Sequence, residues 1–103
     1  MNRLTLTRRA EADLEAIFAG MARSFRFFGE EAARRYCEGL TEALDQLAAE
    51  PLAGRPEPEI DERTWSQTFR RHAIFYEMAG EGILVLRLLP LPDPPLHDMG
   101  VPA

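Results

Sequence analysis

The period at which apolar residues recur changes once along this chain, and that change limits the folds open to it. Before Pro51 the spacing is three and four, the repeat of one face of an α-helix; after Thr64 it is two, the repeat of a strand. Ala10, Leu14, Ile17, Phe18, Met21 and Phe25 form one stripe over residues 8–25, and Thr7 just before it is a good helix N-cap. Ala33, Tyr36, Cys37, Leu40, Leu44 and Leu47 form a second stripe over 30–50, with Glu30, Glu31, Arg34, Glu38, Glu42 and Asp45 on the opposite side. Glu30 and Arg34 stand four apart in the favourable order for an ion pair. Gly29 supplies the turn between the helices, and Pro51 with Gly54 ends the second. Two such helices with a short link predict an antiparallel hairpin.

Strand signals flank this hairpin. "RLTLT" (residues 3–7) alternates ahead of it. Behind it, "TWSQTFR" places Trp65, Gln67 and Phe69 on one face, and "HAIFYEM" groups Ile74, Tyr76 and Met78. "AGEG" (79–82) reads as a hairpin turn, and "ILVLRLL" (83–89) is apolar on both faces except for Arg87, as an interior strand is. "PLAGRPEPEID" (51–61) is Pro- and acid-rich and predicts an ordered loop without regular structure. The expected fold is α+β: an N-terminal strand, then an antiparallel helical hairpin packed on a largely antiparallel sheet with three C-terminal strands. One domain spans 1–89, and the tail, 90–103, holds five of the eight prolines.

Charge and composition narrow the function. Seventeen acids against twelve bases give a net charge of −5, whereas a chain that lives on phosphate contacts usually carries a basic excess. Direct sequence-specific nucleic-acid binding is therefore not expected. All twelve bases are arginine; with no lysine, any mechanism that needs a lysine as proton-transfer group is excluded. No apolar run approaches a membrane span, and "MNRLTLTRRA" lacks the apolar core of a signal peptide, so the expected location is the cytoplasm. A single cysteine, Cys37, agrees with a reducing compartment, and its place in the helical stripe makes it a small core residue.

Few residues carry chemistry on their own. His72 and His97 have no acid or cysteine at metal-ligand spacing, and no phosphate loop or nucleophile elbow is present, so neither a metal nor a cofactor is expected. Arg70, Arg71 and Arg87 have two readings. They form a compact anion-binding surface, or they pair internally with acids such as Glu77 or Glu81. Trp65 is either a packing residue or an anchor for a partner. Phe25, Phe27 and Phe28 crowd one turn, more aromatic surface than a short connection needs.

Taken together, "LTLTRRAEADLEAI", "GEEAARRYCEGLTEALDQLAAEPLAGRP", "RRHAIFYEM" and "ILVLRLL" resemble, in order and spacing over residues 4–89, the ParE toxins of the RelE/ParE toxin–antitoxin superfamily. The resemblance implies a toxin that poisons DNA gyrase without catalytic residues of its own. It also implies a ParD-like antitoxin, in a heterodimer or heterotetramer, whose helix packs on the hairpin and whose extended chain runs along the sheet. Trp65, Arg70, Arg71 and Arg87 would then meet antitoxin or target, with Ile17, Phe18, Met21, Phe25 and Phe28 partly shared with the antitoxin helix. The superfamily's RelE-like branch cleaves messenger RNA on the ribosome. Here that chemistry would fall to Glu57 as base, Arg70 or Arg87 as phosphate clamp and His97 as acid. The tail "LPLPDPPLHDM" replaces the family's usual basic segment, so a non-toxic antitoxin-binding homologue is the third reading.

Overall fold

A computed structural model describes residues 3–23 and 29–92. Strand β1 (Arg3–Leu6) leads into helix α1 (Arg8–Arg23); helix α2 (Gly29–Ala49) follows, then a single 3₁₀ turn over Pro51–Ala53. Strands β2 (Arg55–Pro56), β3 (Trp65–Phe69), β4 (His72–Ala79) and β5 (Gly82–Pro90) complete the chain. They form one sheet in the order β1-β5-β4-β3-β2, antiparallel throughout except where β1 runs parallel to β5. This is the α+β arrangement expected from the change of period.

Thr7 makes the first crossing from sheet to helix. Its Oγ1 accepts the Ala10 N–H at 3.1 Å, the N-cap bond, and its own hydroxyl proton goes to the Leu86 carbonyl of β5 at 2.9 Å. One short side chain thereby starts α1 and fixes that start to the sheet. The apolar stripes of both helices turn to the same core: Ala10 and Ile17 from α1, and Ala33, Leu40, Leu44 and Leu47 from α2, are buried. From the sheet come Ile74, Tyr76, Ile83, Val85 and Leu88, with Leu4 and Leu6 packed alongside. Met78, although on the Ile74 and Tyr76 face, lies near the end of β4 and is exposed.

Strand β5 buries Ile83 and Val85 in period two and then Leu88, three residues on. A bulge makes this possible. Phe75 pairs with Arg87 while Tyr76 pairs with Val85, which leaves Leu86 as the extra residue.

Three local expectations are corrected. The loop after Pro51 contains the 3₁₀ turn and the two-residue strand β2, which pairs with Trp65 and Ser66. The pairing is extended by Glu57 N–H to the Thr64 carbonyl at 2.8 Å, so the segment is held by backbone bonds that its prolines at 51, 56 and 58 do not forbid. Arg34 pairs with Glu31 (2.6 Å) and Glu38 (2.9 Å) rather than with Glu30. The third concerns Arg87, below.

The two tight turns differ. Between β4 and β5 the turn is Gly80-Glu81, with Gly80 at φ +57°, where a glycine has no steric penalty. Between β3 and β4 it is Arg70-Arg71, and there Arg70 carries the positive φ, +50°.

Candidate functional site at the β3–β4 turn

Phe69 pairs with His72, so Arg70 and Arg71 are the two residues at the tip of the hairpin. Tyr36 of α2 holds this tip. The backbone N–H of Arg71 donates to Tyr36 Oη at 3.2 Å, and Oη lies 2.7 Å from His72 Nδ1 and 3.3 Å from the Phe69 carbonyl. Burial, with the Arg71 cation adding to it, holds His72 below its ordinary value of 6.5, so the imidazole is neutral at pH 7. Burial raises the Tyr36 hydroxyl, which keeps its proton. Tyr36 Oη therefore accepts the Arg71 N–H and ties it to the Phe69 carbonyl and to His72 Nδ1, the direction of the last bond following the imidazole tautomer. Edge-to-face contacts of Tyr36 with Phe69 (5.4 Å) and His72 (5.5 Å) complete the seat.

Replacing Tyr36 by Phe leaves these rings packed and removes the hydroxyl. The expected cost is about 1 kcal/mol, read as a lower denaturant midpoint with unchanged slope. A midpoint equal to wild type would show that water replaces Oη without loss.

Beside the tip lies a groove of about 350 Å³, lined by Met21 of α1, Ala32, Arg35, Tyr36 and Gly39 of α2, and Phe69 and Arg70. Arg70 lies over the Phe69 ring, its guanidinium carbon 5.7 Å from the centroid. Among the described residues neither Arg70 nor Arg71 forms an ion pair, and Arg35 has only a long contact of 3.9 Å to Glu31. A second groove, about 330 Å³, opens on the outside of the helical hairpin between Phe18, Arg34, Cys37, Glu38 and Thr41. Phe18 is partly exposed there, and burial raises the Cys37 thiol, which fits a packing residue rather than a reactive one.

The residues picked from sequence fall into separate places. Arg70, Arg71 and Met21 meet at the tip and its groove. Phe18 borders the outer groove, and Ile17 is buried beneath it in the core. Trp65 is half-buried at the opposite end of β3, where it packs against the core. Arg87 does not join Arg70 and Arg71, and its partner is neither Glu77 nor Glu81. Its guanidinium clasps Asp13 of α1 through Nε (2.7 Å) and Nη2 (3.0 Å), and the Leu88 N–H donates to the same carboxylate at 2.9 Å. Phe25, Phe28 and His97 lie outside the described residues.

The set that RNA cleavage would need is not drawn together by the described residues. The Glu57 carboxyl takes the Ser66 hydroxyl at 2.6 Å and Arg55 Nε at 3.2 Å; the Ser66 bond first, then Arg55, lowers its pKa, which weakens it as a base. Three strand residues separate Ser66 from Arg70, and Arg87 is engaged by Asp13. No group of three or more His, Cys, Asp or Glu stands at metal-binding geometry among the described residues.

Tyr36, Gly39, Phe69 and Asp13 were not singled out from sequence. Tyr36 was legible as the one apolar-stripe residue with a hydroxyl, which needs a partner when buried. Asp13 was legible as an acid between Ala10 and Ile17 on the buried stripe of α1.

A two-helix hairpin on a five-stranded, mostly antiparallel sheet with an N-terminal strand parallel to the last is a fold shared with a solved toxin–antitoxin system. A solved structure of a chromosomal ParDE TA system from P. aeruginosa superposes with a TM-score of 0.72 over 86% of this chain and 95% of that one, at 23% identity. The family model described as the ParE toxin of the type II toxin–antitoxin system, parDE, matches residues 4–90. Toxin ParE1 of Mycobacterium tuberculosis, from strains CDC 1551 / Oshkosh and H37Rv, is 33% identical over 89 residues, 85% of this chain and 88% of that protein. The chain belongs to the ParE toxin family of type II toxin–antitoxin systems.

Proposed function

We propose that this protein is a ParE-type toxin that stops growth by binding DNA gyrase in the cytoplasm and stabilising its cleaved-DNA state, and that a ParD-like antitoxin silences it. Membership of the ParE family over nearly the whole described chain supports the activity. The surface is indicated by the cations at the hairpin tip, which form no ion pair among the described residues: in a chain of net charge −5, Arg70 and Arg71 point to an acidic polypeptide. The outer groove at Phe18 and Cys37 suits the apolar face of an antitoxin helix. No helix among the described residues is long and apolar enough to cross a membrane.

The test is a DNA-cleavage assay with gyrase, supercoiled plasmid and antitoxin-free protein. Linear plasmid that accumulates with dose supports the reading; folded protein that yields none removes it. On the antitoxin side, Arg71→Glu is expected to weaken binding by about tenfold or more, read by calorimetry, with stability within about 0.5 kcal/mol of wild type. A melted domain would show instead that Arg71 is structural.

A further inference from the structure

The groove beside the hairpin tip is built with more care than a solvated surface requires. Its floor is apolar: Met21, Ala32, and the rings of Tyr36 and Phe69. Gly39 makes room for that floor, because a Cβ there would stand 3.1 Å from Phe69 Cζ. Among the described residues, two guanidinium groups, Arg35 and Arg70, belong to the lining and no acid does. Arg70 sits at φ +50°, a backbone region that disfavours a residue with a Cβ and that hairpin turns usually give to glycine or asparagine. The conformation is held by Tyr36 Oη on the next N–H and by the Leu91 N–H on the Arg71 carbonyl at 2.8 Å. A cation kept in a disfavoured conformation, over a ring and with no anion among the described residues, is what a recognition residue looks like.

We propose that this groove receives one aromatic side chain of the antitoxin together with a carboxylate beside it. The ring would lie on Met21, Tyr36 and Phe69, and the carboxylate would meet Arg70, with Arg35 adding to the field. The inference rests on the reading that the tip faces the antitoxin, and states what the antitoxin must present there. An apolar floor with a cationic rim favours an aromatic–acidic pair over a bare phosphate, which would use the rim alone.

The full-length protein, free of antitoxin, is titrated by NMR with phenylacetate, and separately with benzylamine and inorganic phosphate. Phenylacetate is expected to shift the amides of Gly39, Phe69 and Arg70 saturably, benzylamine not at all, and phosphate at least about tenfold more weakly. Arg70→Gly accepts the positive φ, so it is expected to fold with a thermal midpoint equal to or above wild type and yet bind phenylacetate about tenfold more weakly. Absence of saturable shifts, equal binding of benzylamine or phosphate, or full affinity in Arg70→Gly each overturns the pocket, whatever the antitoxin does. If Arg70→Gly loses phenylacetate but keeps full antitoxin affinity, the pocket stands and its assignment to the antitoxin falls.

Discussion

Replacing Asp13 by alanine is expected to lower the free energy of unfolding by about 2–3 kcal/mol, a large part of what a domain of this size has. The carboxylate accepts three hydrogen bonds, two from Arg87 and one from the Leu88 N–H, and joins the middle of α1 to the bulged part of β5. Alanine leaves that N–H without its acceptor and the guanidinium without its counter-charge. Asparagine keeps one acceptor and loses the charge, so it should fall between the two. The hydrogen bond from Arg87 is the main reason the Asp13 carboxyl is held below its ordinary value of 3.8. Its contribution is therefore complete above about pH 4 and disappears as pH falls through the depressed value in the folded state. Urea melts at pH 7 and again below pH 3.8 read this directly: the gap between wild type and Asp13→Ala should shrink at the lower pH. A gap that stays constant with pH would mean that the ion pair contributes nothing and that only packing was lost.

The second large effect is steric. A methyl group on Gly82 would lie 1.7 Å from the Arg3 carbonyl oxygen and 2.7 Å from its nitrogen. These are backbone atoms of the strand paired with β5, so no side-chain rotation relieves the contact. Strand β1 must move off, and its register with Gly82, Ile83, Leu84 and Val85 goes with it, along with the packing of Leu4 and Leu6. Gly82→Ala is expected to cost about 3 kcal/mol or more, a drop on the order of 15 °C in thermal midpoint. Gly20→Ala is the matched control, because nothing lies within 4 Å of the added methyl and the site is an exposed turn of α1; there the change should be neutral or stabilising by up to about 1 kcal/mol. Equal midpoints for the two variants would show that β1 accommodates the methyl and that Gly82 is not a packing constraint.

Much of the fold could be read from the order of the residues. The two helical stripes, the cap at Thr7, the break at Pro51 and the alternation in β3 and β4 are local properties, set by side-chain size, backbone freedom and period, and the structure follows them. The short strand β2 escaped because its two residues include a proline, and only their pairing with Trp65 and Ser66 makes them a strand. The partner of Arg87 escaped for a related reason. Asp13 is 74 positions away, and nearer acids such as Glu77 and Glu81 were equally plausible until the bulge at Leu86 and the packing of α1 chose one.

The basic pair at the turn shows the same division. Sequence established that the chain has no lysine, that Arg70 and Arg71 stand together between two strands, and that the excess of acid argues against phosphate as their target. What the arginines stand next to was decided by the tertiary structure. Tyr36 and Gly39 come from a helix some thirty positions earlier, and only the docking of α2 on the hairpin makes the groove, because its walls belong to elements that no local pattern connects.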